Sequence, residues 1–226
     1  MNADRQMTVD DDVVATRLAE VRANIEASGR RDVRVVAVTK GFDRSAVESA
    51  QRVGLTDIGE NYAQEVEEKA SAVAAGTDVH FIGRIQRNKV RKIIDHIALW
   101  HSVARPEIIA ELAKRAERPR VLIQVRPLED PTKDGVRPDE LESMLDAAVS
   151  LGVKVEGLMT IGIFGDSNAT KECFAELARL ADQFDLPERS MGMSGDYRDA
   201  LEAGATMLRL GSVLFGPRPG PPQGNG

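Results

Sequence analysis

The chain has 226 residues, 42% of them apolar and 29% charged, a balance that suits a globular fold with a core of its own and excludes a low-complexity chain. Its formal net charge of −6 denies it the basic footprint of a nucleic-acid binder, and no apolar run approaches the roughly 20 residues that span a bilayer. The opening MNADRQMTVDDD has no apolar signal segment, and the single cysteine, Cys173, has no internal disulfide partner, so a cytoplasmic protein with a buried, inert thiol is expected.

Residues 1–9 read as a flexible tail. Over 10–28, Val13, Val14, Leu18, Val21 and Ile25 recur at helical spacing behind an acidic start, and Gly29 supplies a stop, which predicts an opening helix. The run Val33-Arg34-Val35-Val36-Ala37-Val38-Thr39-Lys40-Gly41 is β-branched and apolar, and predicts a strand buried on both faces with Lys40 at its carboxyl end. A helix over 44–53 follows, then a short strand over 56–59 ending in Glu60-Asn61, and a helix over 64–75. Next come a strand over 79–83, a helix over 87–95, a strand over 98–103 and a helix opened by Pro106, a position where proline is tolerated. The basic run over 84–92 reads as a solvated helix face. A fifth strand over 120–125 leads into a long Pro-, Asp- and Gly-rich loop over 126–136. A helix over 138–150, a strand over 153–159 and a helix capped by Ser167 or Asn168 and running to about 184 come next. A strand over 189–193, a helix over 197–203 and an eighth strand over 206–210 complete the pattern, and 218–226 read as a disordered tail.

Eight strands alternating with helices argue for parallel pairing through right-handed crossovers and predict a single (β/α)8 TIM-type barrel over 10–217 with an extra N-terminal helix. A doubly wound open sheet is the competing arrangement, but Lys40-Gly41-Phe42-Asp43 is no glycine-rich dinucleotide turn. In a barrel the strands' carboxyl ends share one mouth. Lys40, Glu60, Asn61, Arg84, Ser102, Arg126, Thr160, Ser194, Arg209 and Ser212 are thereby gathered, and closure sets strand 8, with Arg209, beside strand 1. Barrels often hold phosphate between the loops after strands 7 and 8, and here those loops carry Gly192-Met193-Ser194-Gly195 and Gly211-Ser212, which are otherwise ordinary turns.

Alone, Lys40 is a solvated lysine closing a strand, a Schiff-base nucleophile or an anion ligand. Next to an arginine and a phosphate cradle, it suits an aldehyde bearing a phosphate, a description that pyridoxal 5′-phosphate (PLP) fits. Arg209 would disfavour protonation of Lys40; facing a pyridine nitrogen, it would keep that nitrogen unprotonated and weaken the ring as an electron sink. The histidines, His80, His96 and His101, are scattered without metal-ligand spacing, with His80 placed away from the mouth. Glu60 is either a base beside Lys40 or a carboxylate that fixes backbone N–H groups.

Val38-Thr39-Lys40, Gly59-Glu60-Asn61-Tyr62-Ala63-Gln64-Glu65, His80-Phe81-Ile82-Gly83-Arg84-Ile85-Gln86-Arg87-Asn88-Lys89, Gly157-Leu158-Met159, Ser190-Met191-Gly192-Met193-Ser194 and Leu208-Arg209-Leu210-Gly211-Ser212-Val213-Leu214-Phe215-Gly216 together resemble the PLP homeostasis protein family, over about 12–217. These proteins are single barrels similar to the N-terminal domain of alanine racemase. The resemblance implies that Lys40 forms the PLP aldimine and that Arg209 meets the pyridine nitrogen. Ser194, Gly211 and Ser212 match the phosphate site, and Asn61 matches a residue lining the cofactor. It also implies a role in intracellular PLP homeostasis without established turnover. A monomer is expected, with a weak dimer as the alternative. Two departures from the family pattern, at Ala104 and Arg126, affect one side of the mouth. The rival readings are a PLP-dependent amino-acid racemase, disfavoured because the chain ends within a few residues of the barrel, and a Schiff-base aldolase acting on a sugar phosphate.

Overall fold

The computed structural model describes residues 9–126 and 134–218. The expected tails lie outside the described residues except for Val9 and Arg218, and so does most of the loop over 126–136.

Helix α1 (Asp11–Ala27) is started by Asp10, whose carboxylate accepts from the N–H groups of Asp12 and Val13, and it buries Val14, Leu18, Val21 and Ile25 as the spacing predicts, whereas Val13, expected on the same stripe, is exposed. The chain then alternates through β1 (Arg34–Val38), α2 (Arg44–Arg52), β2 (Asp57–Glu60), α3 (Ala63–Lys69), β3 (Asp78–Phe81), α4 (Arg87–Ile93), β4 (Leu99–Val103) and α5 (Pro106–Arg115). It continues through β5 (Arg120–Gln124), α6 (Leu141–Ser150), β6 (Lys154–Met159), α7 (Ser167–Gln183), β7 (Glu188–Ser190), α8 (Tyr197–Glu202), β8 (Met207–Leu210) and α9 (Ser212–Phe215). Each strand pairs in parallel with the next, and β8 pairs with β1, closing an eight-stranded barrel. The fold is the expected (β/α)8 barrel with α1 as an additional helix.

Several boundaries differ from the sequence-based expectations. β1 ends at Val38, so Lys40 stands two residues beyond it in a turn that Gly41 completes with a φ of 75°. β7 has only three residues, because Gly192, at a φ of 89°, turns the chain away where strand was expected. Asp166, not Ser167 or Asn168, caps α7 by accepting from Ala169 N–H.

Strand parity divides the barrel residues. Paired positions share a face, so Val36 and Arg209 point inward together, as do Gly59 and His80. Ion pairs close the amino-terminal end of the interior: Arg34 with Glu188 at 2.6 Å and with Asp57 at 3.7 Å, and Arg120 with Glu156 at 2.8 Å. Leu99, Leu122, Met159 and Met207 form an apolar cluster of their own, separate from the larger core. At the other end lies the mouth.

Candidate functional site

Lys40 is half-buried at the mouth, and its Nζ makes no hydrogen bond or ion pair with the described residues. Burial pushes its pKa below the ordinary lysine value, the charges of Arg218 and Arg209 push the same way, and Glu65 and Glu60 oppose them. The amine is therefore biased toward its neutral, nucleophilic form.

The turn that carries Lys40 is clamped on both sides. The buried Lys69 of α3 donates from Nζ to Thr39 O at 2.8 Å, to Glu60 Oε1 at 2.8 Å and to Glu65 Oε2 at 2.7 Å. Glu65 Oε2 also accepts from Gly41 N–H at 2.8 Å, so both neighbours of Lys40 are tied to one ammonium. Glu60 faces outward from the barrel toward α3 rather than into the mouth. Its Oε1 also accepts from Thr39 Oγ1 at 2.5 Å, and burial raises its pKa against the opposing pull of Lys69. The choice left open by the sequence resolves toward support: Glu60 holds Lys69 and Thr39, not the backbone N–H groups.

Arg209 lies four residues deeper than Lys40 by β-register, opposite Val36, rather than directly beside it. Its guanidinium is 4% exposed and donates to Ser190 Oγ at 2.7 Å and to Thr160 O at 2.8 Å. Burial lowers its pKa to about 10, with the charge of Asp196 pulling the other way. Arg209 makes no ion pair among the described residues, so its charge remains available to a ligand in the interior.

The phosphate-type loops do converge. Ser194 Oγ accepts from Val213 N–H at 3.1 Å and, more weakly, from Gly211 N–H at 3.4 Å, which joins the loop after β7 to the start of α9. Gly192 is obligatory there, since an added Cβ would stand 2.6 Å from Ala200 Cβ on a backbone of positive φ. Ser212 opens α9 beside Gly211, half-buried. Asn61 follows β2 at the same end, and its carbonyl oxygen presses on Gly83, where a Cβ would lie only 2.0 Å away. Lys40, Asn61, Ser194, Arg209, Gly211 and Ser212 thus all lie at or just below the mouth.

Three features escaped sequence reasoning. Arg218 packs its side chain over Gly41 and adds positive charge near Lys40, although its proline-rich surroundings read as tail. Lys69 was lost within a charged helix. The two histidines of the sheet are corrected most: His80 and His101 are both fully buried and meet through Nδ1 and Nε2 at 2.8 Å. The signal available was parity, which turns both rings inward.

An amine whose burial favours its neutral form, a buried guanidinium and two N–H-rich turns fit an aldehyde bearing a phosphate. Residues 9–219 match the alanine racemase N-terminal domain family, which defines the class of this barrel. The chain is 40% identical to the pyridoxal phosphate homeostasis protein of Synechocystis, over 88% of this chain and 97% of the relative. It is 38% identical to that of Deinococcus radiodurans, over 92% of this chain and 100% of the relative. The structure of PipY from Synechococcus elongatus with PLP bound superposes with a TM-score of 0.79 at 32% identity, covering 90% of this chain and 100% of that one. The chain belongs to the pyridoxal phosphate homeostasis protein family.

Proposed function

We propose that this barrel binds PLP through Lys40 and serves intracellular PLP homeostasis, holding the cofactor rather than turning over a substrate. The observation that carries the reading is the half-buried Lys40 Nζ, without a hydrogen bond or ion pair among the described residues and biased toward the neutral form, above an Arg209 that has no ion pair among them. When bound, PLP supplies an aldehyde carbon that accepts an amine lone pair, so that the two join reversibly with loss of water. Ser194, Gly211 and Ser212 would hold the phosphate, Arg209 would meet the pyridine nitrogen, and Asn61 would line the ring. A guanidinium at that nitrogen leaves it without the proton that makes the ring a strong electron sink, which suits storage. The protein acts in the cytoplasm as a monomer in this reading.

A racemase needs a second base opposite Lys40. Of the two tyrosines, Tyr197 is buried, and its hydroxyl accepts from Asn24 on α1 outside the barrel, so it does not serve. Tyr62 stands exposed at the start of α3.

Purified protein is mixed with PLP, reduced with borohydride, digested and mapped by mass. Modification at Lys40, absent in Lys40→Ala, is expected; an unmodified Lys40 would sink the reading. Chiral analysis of alanine and serine checks turnover, and none is expected.

A further inference from the structure

A line of buried polar groups crosses the barrel interior beneath Arg209. Arg209 Nη1 donates to Ser190 Oγ at 2.7 Å, and Ser190 Oγ lies 2.9 Å from His101 Nδ1. His101 Nε2 lies 2.8 Å from His80 Nδ1, and His80 Nε2 lies 3.1 Å from Asp57 Oδ1. Five residues from β8, β7, β4, β3 and β2 are thereby joined without a break.

Only one placement of protons satisfies every member while both rings stay neutral. Arg209 can only donate, so Ser190 accepts from it and passes its own O–H to His101 Nδ1. His101 must then carry its proton on Nε2 and give it to His80 Nδ1. His80 in turn carries its proton on Nε2 and gives it to Asp57, which at neutral pH can only accept. The reverse order would turn a bare ring nitrogen toward a carboxylate or place an imidazolium in the interior, where burying a charge is costly. A cation and an anion thus terminate a one-way chain of three neutral links.

We propose that this chain is a single polarised unit that orients the Arg209 guanidinium toward the ligand, so that Ser190, His101, His80 and Asp57 are positioning residues for cofactor binding. The proposal rests on the PLP reading for its consequence, but not for its geometry. With Nη1 committed to Ser190 and Nη2 to Thr160 O, two arms of the guanidinium are fixed and the cation cannot swing toward Asp196 on the loop before α8. Asp57 does not act alone at the far end: Arg34 from β1 lies 3.7 Å from it and also holds Glu188, which anchors the anion in turn.

The geometry is tested first on ligand-free protein by 15N NMR of the imidazoles at neutral pH. Both His80 and His101 are expected as neutral Nε2–H tautomers with slowly exchanging protons. A proton on Nδ1 of either ring, or a charged ring, would overturn the chain. The consequence is tested with Ser190→Ala, which removes the acceptor of Nη1, and with Asp57→Asn, which keeps an acceptor for His80 but removes the charge at the opposite end of the barrel. Each is expected to weaken PLP binding about tenfold, on the scale of a hydrogen bond to a charged group, and to shift the absorbance of the bound cofactor while Lys40 still captures it. Unchanged affinity and spectrum in both variants would refute a positioning role. Should wild-type protein fail to capture PLP, the functional reading falls, and the tautomers still decide the chain.

Discussion

Lys69 shows how much of a site can depend on a residue that never touches the ligand. It is 5% exposed and Glu60 is 2% exposed, and the second oxygen of Glu60 already lacks a partner among the described residues. Replacing Lys69 with methionine keeps the stem that packs under α3 but leaves Glu60 buried without its cation. A loss of about 3–5 kcal/mol in urea denaturation is expected, the usual cost of breaking a buried pair from one side. The Lys40 turn should loosen as well, seen as faster hydrogen exchange at Gly41, whose N–H is held by Glu65. A change under 1 kcal/mol would mean that Glu60 simply takes up a proton, a step that burial, which raises its pKa, makes easier. At this scale Lys40, Arg209 and the two Gly-Ser turns were legible because each falls where barrel strands end. Lys69 and Arg218 were not, since a lysine in a charged helix and an arginine among prolines look solvent-bound until packing is known. The histidine pair was legible in principle: once strands are assigned, alternation turns His80 and His101 to the same side.

Among the elements, α1 and α9 are the pair whose contact matters most to the site. α9 is a single turn, too short to hold itself together, and its last carbonyls have no intrahelical partners. Arg17 on α1 donates to Leu214 O at 3.1 Å and places a cation at that carboxyl end, where the helix dipole is negative. The extra N-terminal helix therefore buttresses the turn that carries Gly211 and Ser212. Arg17→Ala should leave the barrel folded and raise amide exchange at Phe215 and Gly216. Unchanged exchange at those amides would show that α1 is only a cover. The alternation of strands and helices makes this architecture readable from periodicity, and of the α1 stripe Val14, Leu18, Val21 and Ile25 are buried while Val13 is not. What periodicity could not show was where strands stop. β1 and β7 end early because positive-φ glycines and side-chain clamps, rather than loss of apolar pattern, redirect the chain. α9 went unassigned for the opposite reason: four residues contain no period to detect.

At the scale of the whole molecule, the barrel interior is polar at its amino-terminal end and along the Asp57 to Arg209 line, so its stability should follow pH in separable steps. His101 is enclosed by His80 from β3, Ser190 from β7 and the charges of Arg209 and Arg34, and its pKa lies well below the ordinary 6.5, chiefly through burial. A lowered pKa means that the unfolded chain takes up a proton that the native protein refuses. Stability from this group is complete above about pH 6.5 and is lost as pH falls toward the native value, at up to ~1.4 kcal/mol per pH unit. Asp57 and Glu156, whose pKa values are also depressed, lose their contributions only below the ordinary carboxylate range. Glu60 acts in the opposite sense: with its pKa raised, its contribution favours the folded state at low pH and fades as pH rises through the native value. Urea denaturation across pH should therefore show a decline below about pH 6.5 that is steeper in wild type than in His101→Gln, by one proton's worth of slope. Equal slopes would mean that the ring gains a proton inside the folded barrel. Such a ring would carry N–H groups on both nitrogens and reverse the His101–Ser190 bond alone, leaving Ser190 Oγ to accept from both His101 and Arg209, so the same titration that measures stability also reports whether the one-way order of the chain holds.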